Sequence, residues 1–99
     1  MTKEQAIKVL IVDDHGLMRE GLAAMLRGND QFAVVGLLSS GEDAVNQVSE
    51  LTPQVILMDI LLRGMTGIEA TRWIKDQHPE IKIILISMEM NKDNISLGI

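Results

Sequence analysis

Three aspartates and one serine stand where they could do chemistry together. Asp13 and Asp14 follow one apolar run, Asp59 follows another and Ser87 follows a third. If the runs are parallel strands of one sheet, their carboxyl ends meet at the edge where open α/β sheets bind ligands. Three carboxylates within about 4–6 Å repel one another by roughly 1–4 kcal/mol per close pair. No Lys or Arg adjoins any of the three in sequence, so the cluster favours a bound cation.

A few carboxylate oxygens that leave room for water suit Mg²⁺ or Mn²⁺. Such an ion would draw a phosphate to the same place, and one carboxylate could attack phosphorus to form an acyl phosphate. Taken singly, each acid is more often a helix cap or a loop residue. The coincidence of all three at one edge favours the metal site. His15 follows the acid pair, but a lone histidine at a helix start is usually a surface or capping residue, which is the role we predict for it.

The strands that must position these residues appear as four short apolar runs. Most are rich in β-branched residues without polar alternation, which is typical of strands buried on both faces of a parallel sheet. The second run is weaker and is predicted to lie nearer a sheet edge. The runs are Val9–Val12, Phe32–Val35, Val55–Met58 and Ile83–Ile86.

Three segments between the strands have helical spacing, each about three turns long. Their predicted apolar stripes are Leu17, Met18, Leu22, Met25 and Leu26; then Ala44, Val48 and Leu51; then Ile68, Thr71, Ile74 and Lys75. The methionines, Met18, Met25 and Met58 among them, are predicted to fill the core. Pro79 should end the third helix near His78. The alternation predicts an α/β fold, a doubly wound parallel sheet with helices on both faces and right-handed crossovers.

The bulk properties fit one small domain. The chain has 99 residues, 46% of them hydrophobic, no cysteine and a net charge of −5. That charge gives no overall attraction to nucleic-acid phosphates. No apolar run approaches the ~20 residues of a membrane span, and no signal-peptide pattern begins the chain, so a cytoplasmic domain is expected. A fourth helix is predicted to start at Asn91, and it stops after barely two turns at Ile99.

The motifs resemble those of response regulator receiver domains of bacterial two-component signalling. The resemblance runs from Lys8 to Asn94, and its Asp-Asp-His and Arg-Glu-Gly-Leu segments are most similar to receivers attached to LuxR-type helix-turn-helix output domains. The matching segments are Lys8–His15, Met18–Leu22, Val34–Gly36, Pro53–Asp59, Gly64–Ala70 and Ile83–Ser87.

The resemblance implies a flavodoxin-like fold with strand order 2-1-3-4-5 and a role for each site residue. Asp59 would be the phosphoacceptor, and Ser87 the switch hydroxyl that hydrogen-bonds the phosphoryl oxygen. Mg²⁺ (or Mn²⁺) would be held by Asp13, Asp14, Asp59 and the backbone carbonyl of Leu61. The phosphodonor would be a histidine kinase or histidine phosphotransfer protein. DNA would be bound only through an output domain outside this chain, and a homodimer is compatible with the resemblance.

The chain departs from the family pattern in three places. Gly16 stands where a proline often opens the first helix, which removes a favoured first helical residue. Leu62-Arg63-Gly64 replaces the frequent Met-Pro-Gly after the acceptor. The fifth strand and last helix of the family have no counterpart before Ile99, so we expect residues 1–99 to be a receiver truncated near the start of its fourth helix. Leu61 is expected to shield the acyl phosphate from water, and Glu89 to tune access to it.

Two other functions compete with a working receiver. A degenerate receiver would act only as a protein interaction module. The intact acids argue against that alternative, and the missing fifth strand argues for it. A nucleotide-hydrolysing enzyme is the second rival, but the chain lacks the G-x-x-x-x-G-K-[ST] loop. An aspartate-based phosphohydrolase would need Asp-x-Asp after the first strand, which Asp13-Asp14-His15 does not provide.

Overall fold

The computed structural model describes residues 5–87. In chain order, the elements are β1 (Ile7–Val12), α1 (Gly16–Arg27), β2 (Phe32–Leu38), α2 (Gly41–Leu51), β3 (Val55–Asp59), α3 (Gly67–Gln77) and β4 (Lys82–Ile86). The fourth helix expected from Asn91, and Glu89, lie outside the described residues.

The strands of the described part form one parallel sheet in the order β2-β1-β3-β4. This order confirms the doubly wound α/β prediction, and the weaker second run does lie at an edge. Strand β2 is longer than predicted, reaching Leu38, and its pairing with β1 is interrupted where Val9 pairs with Val34 but Leu10 pairs with Gly36.

The two faces of β1 face different helices, because successive side chains of a strand point to opposite sides. Leu10 and Val12 belong to the core cluster built with α2 and α3. Val9 and Ile11 belong to a second cluster with Ala23 of α1. The sheet is therefore covered on both faces, as the continuous apolar runs predicted.

The predicted apolar face of α1 is partly wrong. Leu17 is 90% exposed and Met25 75% exposed, whereas Leu22 and Leu26 pack against the second cluster. At about 100° per residue, Leu17 lies nearly opposite Leu26, so one helix cannot bury both against one sheet. Core filling by methionine is confirmed for fully buried Met58 and wrong for Met25.

The predicted face of α2 is confirmed, while that of α3 is shifted. Ala44 and Val48 of α2 are buried. In α3 the buried residues are Gly67, Ala70 and Ile74, while Ile68 is 44% exposed. The small side chains of Gly67 and Ala70 let α3 approach the sheet closely. Because neither residue is strongly hydrophobic, the spacing of apolar residues did not identify this buried face. The helix ends at Gln77, as Pro79 predicted.

Side-chain caps fix where α2 and α3 begin. Ser40 accepts a hydrogen bond from the Asp43 amide at 3.0 Å. Thr66 and Glu69 form a reciprocal capping box, each side chain bonding the other's backbone N–H. Each such cap is worth about 1 kcal/mol. These caps set the starts of the two helices on the face of the sheet that carries the larger core cluster.

Candidate functional site

The carboxyl ends of β1 and β3 bring the three predicted aspartates together. The strands are neighbours, and Val12 of β1 pairs with Met58 of β3. Asp13 and Asp59 each come directly after one member of this pair, so they lie side by side at the end of the sheet. Asp13 is 2% exposed and Asp59 4% exposed. One ligand atom from each of Asp13, Asp14, His15 and Asp59 can be chosen so that all lie within 4.8 Å of one another. The convergence expected from strand ends is therefore present.

Backbone hydrogen bonds hold the acid pair at the end of β1. The Asp13 amide donates to the Leu38 carbonyl at 3.0 Å, which extends the β1–β2 pairing to the site. The Arg19 guanidinium donates to the Asp13 carbonyl at 2.8 Å, linking the first turns of α1 to the same residue. The His15 amide donates to Asp13 Oδ1 at 2.8 Å. The chain thus turns sharply from strand to helix around the Asp13 carboxylate.

The Asp59 carboxylate is oriented by the residue two positions after it. The Leu61 amide donates to Asp59 Oδ1 at 3.0 Å. No hydrogen bond reaches the other oxygen, Oδ2, from residues 5–87, and Oδ2 lies 3.6 Å from His15 Nδ1. One oxygen is therefore anchored to the backbone, while the other faces the acid cluster.

Burial raises the pKa of the Asp59 carboxyl above its ordinary value of 3.8. The hydrogen bond from the Leu61 amide opposes this increase, the negative charges of Asp13 and Asp14 add to it, and His15 opposes it. Burial disfavours the charged form because the carboxylate loses water, and like charges disfavour it further. Asp59 thus occupies an electrostatically unfavourable position that a cation would relieve.

His15 has the surface position predicted for it, and its ring also contacts the acid cluster. It occupies the N-cap position of α1, and its side chain is 65% exposed, so it is a surface residue, but its side chain makes no capping hydrogen bond. Its Nδ1 lies 3.0 Å from Asp13 Oδ1 and 3.1 Å from Asp14 Oδ1. The hydrogen bond to Asp13, followed by the charge of Asp14, raises the pKa of the imidazole above 6.5. Its position directly after the acid pair was the sequence signal for this contact.

The loop between β3 and α3 is held from two sides, although it lacks the family's proline. The Arg63 amide donates to Asp14 Oδ2 at 3.3 Å, and its Nε lies 3.9 Å from the same oxygen. On the other side, Glu42 of α2 accepts from the Met65 amide at 3.1 Å. Gly64 between them has a φ of +72°, which glycine adopts without strain. Sequence adjacency could not reveal Arg63 as a neighbour of Asp14, because 49 residues separate them.

Two other predicted site residues lie at the same edge. Leu61 is 57% exposed at the start of the β3–α3 loop. Ser87 directly follows β4 and is half-buried. The last pair between β3 and β4 joins Asp59 to Ile86, and Ser87 is the residue directly after Ile86.

The acid cluster suits a divalent cation by its own geometry. Asp14 Oδ1 is buried without a hydrogen-bond partner among the described residues, and its 3.1 Å separation from His15 Nδ1 lacks hydrogen-bond geometry. A buried carboxylate oxygen without a partner is costly unless a cation compensates it. The oxygen donors of Asp13, Asp14 and Asp59 match the preference of Mg²⁺ and Mn²⁺. The described helices include none long and apolar enough to cross a membrane.

The chain matches the response regulator receiver domain over residues 9–98. It is 45% identical over 82 residues to the response regulator GacA of Pseudomonas syringae, an alignment that covers 83% of this chain and 38% of the relative. It is 42% identical over 89 residues to the transcriptional regulatory protein LiaR of Bacillus subtilis, covering 90% and 42%. A crystal structure of a LuxR-family two-component response regulator from Aurantimonas superposes with a TM-score of 0.80 and 31% identity, covering 87% of this chain and 61% of that one.

The chain therefore belongs to the response regulator receiver domain family, and it is a signalling domain rather than a classical enzyme. This confirms the resemblance, the flavodoxin-like fold and the proximity to LuxR-type regulators. The chain spans about two-fifths of the length of the two relatives.

Proposed function

We propose that this chain is the phosphoacceptor domain of a two-component response regulator, and that Asp59 receives the phosphoryl group in a Mg²⁺-dependent reaction. The observation that supports this most strongly is the state of the Asp59 carboxylate. It is 4% exposed, one oxygen is fixed by the Leu61 amide, and the other faces two further carboxylates. A carboxylate held in this way is positioned for attack instead of capping a helix.

Asp13, Asp14, Asp59 and the Leu61 carbonyl would hold Mg²⁺ (or Mn²⁺). The partnerless Asp14 Oδ1 supports this assignment. When bound, the cation would neutralise the acid cluster and attract the donor phosphate. The chain's own contribution is orientation, because the Leu61 and His15 amides fix the Asp59 and Asp13 carboxylates before the donor arrives.

In the transfer step, an Asp59 carboxylate oxygen attacks the donor phosphorus. A new O–P bond forms, and the bond from phosphorus to the donor breaks, its electron pair leaving with the donor. For a phosphohistidine donor the leaving group is an imidazole, which matches a histidine kinase or a histidine phosphotransfer protein as the source.

Ser87 is proposed to report the phosphorylated state. It directly follows Ile86, the β4 residue that pairs with Asp59, so it lies at the edge of the sheet where the acyl phosphate would form. A hydrogen bond from this hydroxyl to a phosphoryl oxygen would draw the chain after β4 toward the site. That movement would be transmitted to a DNA-binding, transcription-regulating output domain outside this chain. A cytoplasmic location and a homodimer of receivers fit the same proposal.

The test uses the purified chain with acetyl phosphate as the donor, with Mg²⁺ or with EDTA, and intact-mass measurement. We expect one phosphoryl group per chain, requiring Mg²⁺ and lost in Asp59→Asn. Asp30→Asn is the matched control, because Asp30 is an exposed acid in the α1–β2 connection, at the opposite edge of the sheet. A chain that gains no phosphoryl group under any condition would be a degenerate receiver acting as an interaction module. Continuous release of phosphate without accumulation of one group would favour a hydrolase.

A further inference from the structure

The ring of His15 lies beside the three carboxylates that would hold the cation. Its Nδ1 lies 3.0, 3.1 and 3.6 Å from oxygens of Asp13, Asp14 and Asp59. Two neighbouring ligands of one octahedral ion at 2.0–2.1 Å are about 2.8–3.0 Å apart. The separations from Asp13 and Asp14 are therefore within a few tenths of an ångström of the spacing that ligands of one ion adopt. The contact with Asp13 Oδ1 is also a hydrogen bond of the ring, which would break when Nδ1 binds an ion.

The backbone keeps the imidazole at this place. The His15 amide donates to Asp13 Oδ1 at 2.8 Å, and the ring nitrogen lies 3.0 Å from the same oxygen. The following residue, Gly16, begins α1, so the Cα of His15 is fixed between the end of the acid pair and the helix. The ring has its exposed side towards solvent and its Nδ1 towards the carboxylates.

Two carboxylate oxygens at the cluster have no hydrogen-bond partner among residues 5–87. Asp14 Oδ1 is fully buried, and Asp59, whose side chain is 5% exposed, has its Oδ2 free of hydrogen bonds. Both oxygens face His15 Nδ1, at 3.1 and 3.6 Å. The buried, partnerless Asp14 Oδ1 and the unbonded Asp59 Oδ2 thus both lie near the imidazole nitrogen.

We infer that His15 Nδ1 coordinates the divalent cation directly, and that this nitrogen makes the site select first-row transition ions over Mg²⁺. The inference rests on the proposed function, since it concerns the same cation site. Carboxylates, carbonyls and water suit Mg²⁺ and Mn²⁺, whereas an imidazole strengthens binding of ions later in the first-row series. A mixed set of one nitrogen and several oxygens therefore changes which ion the site holds when both kinds are present.

The competing role for His15 is that of a counter-ion. A protonated imidazole would neutralise the acids in place of a metal and would have to leave when any cation binds. The two roles predict opposite effects of removing the ring. Loss of a ligand weakens binding of a transition ion far more than binding of Mg²⁺, whereas loss of a competing counter-ion strengthens binding of both.

Co²⁺ is the probe, because its paramagnetism shifts the NMR signals of any imidazole that coordinates it. The chain has two histidines and no cysteine, so the source of a shifted ring signal is readily assigned. His15→Gln removes the nitrogen and keeps a polar side chain. His78→Gln is the matched control, since His78 caps the far end of α3 and contacts Ser49 and Glu80, away from the acid cluster.

Calorimetric titration of wild type and both variants with Co²⁺ and with Mg²⁺ would accompany the NMR spectra. We expect the shifted imidazole signals in wild type and His78→Gln and not in His15→Gln. We also expect the ratio of Co²⁺ to Mg²⁺ affinity to fall at least about tenfold in His15→Gln, the lower end of what changing even an outer-shell partner of a metal ligand costs. An unchanged ratio, tighter binding of both ions, or Co²⁺ bound without shifted ring signals would overturn the inference.

The same samples separate this inference from the proposed function. If Mg²⁺ binds and supports phosphorylation of Asp59 while Co²⁺ shows no coordinated imidazole, His15 is not a ligand and the receiver function stands. If neither ion binds and no phosphoryl group is gained, both proposals are wrong.

Discussion

Gly67 permits the closest approach between a helix and the candidate site. It is the first residue of α3, and a Cβ added there would overlap the carbonyl oxygen of Asp59. The same Cβ would lie 2.9 Å from the Asp59 carbonyl carbon and 2.9 Å from Ile60 Cα. All three atoms belong to the backbone and cannot rotate away. Gly67→Ala must therefore move either α3 or the backbone that carries the phosphoacceptor.

Gly21 provides the matched control, because it is also a helical glycine but has nothing within 4 Å of the added Cβ. In the interior of α1, Gly21→Ala should stabilise the fold by about 1 kcal/mol through helix propensity. Gly67→Ala should lower the free energy of unfolding by roughly 1–3 kcal/mol through overpacking, or by more because the added Cβ overlaps backbone atoms. The two variants should thus differ by about 2–4 kcal/mol, which for a domain of this size separates their melting temperatures by on the order of 10 °C or more.

The assay is urea unfolding followed by circular dichroism, with calorimetric melting as a second measure. We also expect phosphorylation by acetyl phosphate to slow in Gly67→Ala and not in Gly21→Ala, because only the first displaces the Asp59 backbone. Equal stability of the two alanine variants would refute the account of how α3 packs on the site.

Three further predictions concern α3 and the loop before it. Thr71→Val should raise the free energy of unfolding by about 1 kcal/mol, because the buried Thr71 hydroxyl has no partner among the described residues. Thr66→Val should lower the free energy of unfolding by about 1 kcal/mol, because the helix cap is lost. Urea unfolding that ranks the two variants in the reverse order would contradict this. Glu69→Ala should destabilise the fold at neutral pH, because the hydrogen bond to the Thr66 amide lowers the Glu69 pKa below 4.5. That stabilisation is present above pH 4.5 and disappears as the pH falls through the lowered pKa, so unfolding curves of variant and wild type should converge in acid, and a constant gap would exclude the mechanism. Leu61→Asn should accelerate loss of the phosphoryl group if Leu61 shields the acyl phosphate, and equal decay rates by mass spectrometry would remove the shielding role.

The sheet and the position of the acids could be predicted from sequence because both depend on local pattern. Continuous apolar runs indicate strands buried on both faces, and an acid directly after such a run must lie at the carboxyl edge. The convergence of Asp13 and Asp59 then required only that β1 and β3 be neighbours, as in the strand order 2-1-3-4-5 that the resemblance implied.

The parts that sequence did not reveal depend on contacts between distant segments. Arg63 and Glu42 hold the β3–α3 loop from opposite sides, and nothing local to either residue indicates the partner. The exposure of Leu17 follows from which of two apolar faces of α1 meets the sheet, and periodicity does not choose between them. His15 was assigned a common role by its residue type, whereas the direction of its ring depends on the turn around the Asp13 carboxylate.

The most direct measurement of the central claim is chemical trapping of the acyl phosphate. The chain is incubated with acetyl phosphate and Mg²⁺, reduced with borohydride, which converts an aspartyl phosphate to homoserine, and sequenced by tandem mass spectrometry. Phosphorylation of Asp59 predicts homoserine at position 59 in the sample with Mg²⁺ and not in the sample with EDTA. Homoserine at Asp13 or Asp14, or none at any position while the folded chain binds Mg²⁺, would contradict the claim.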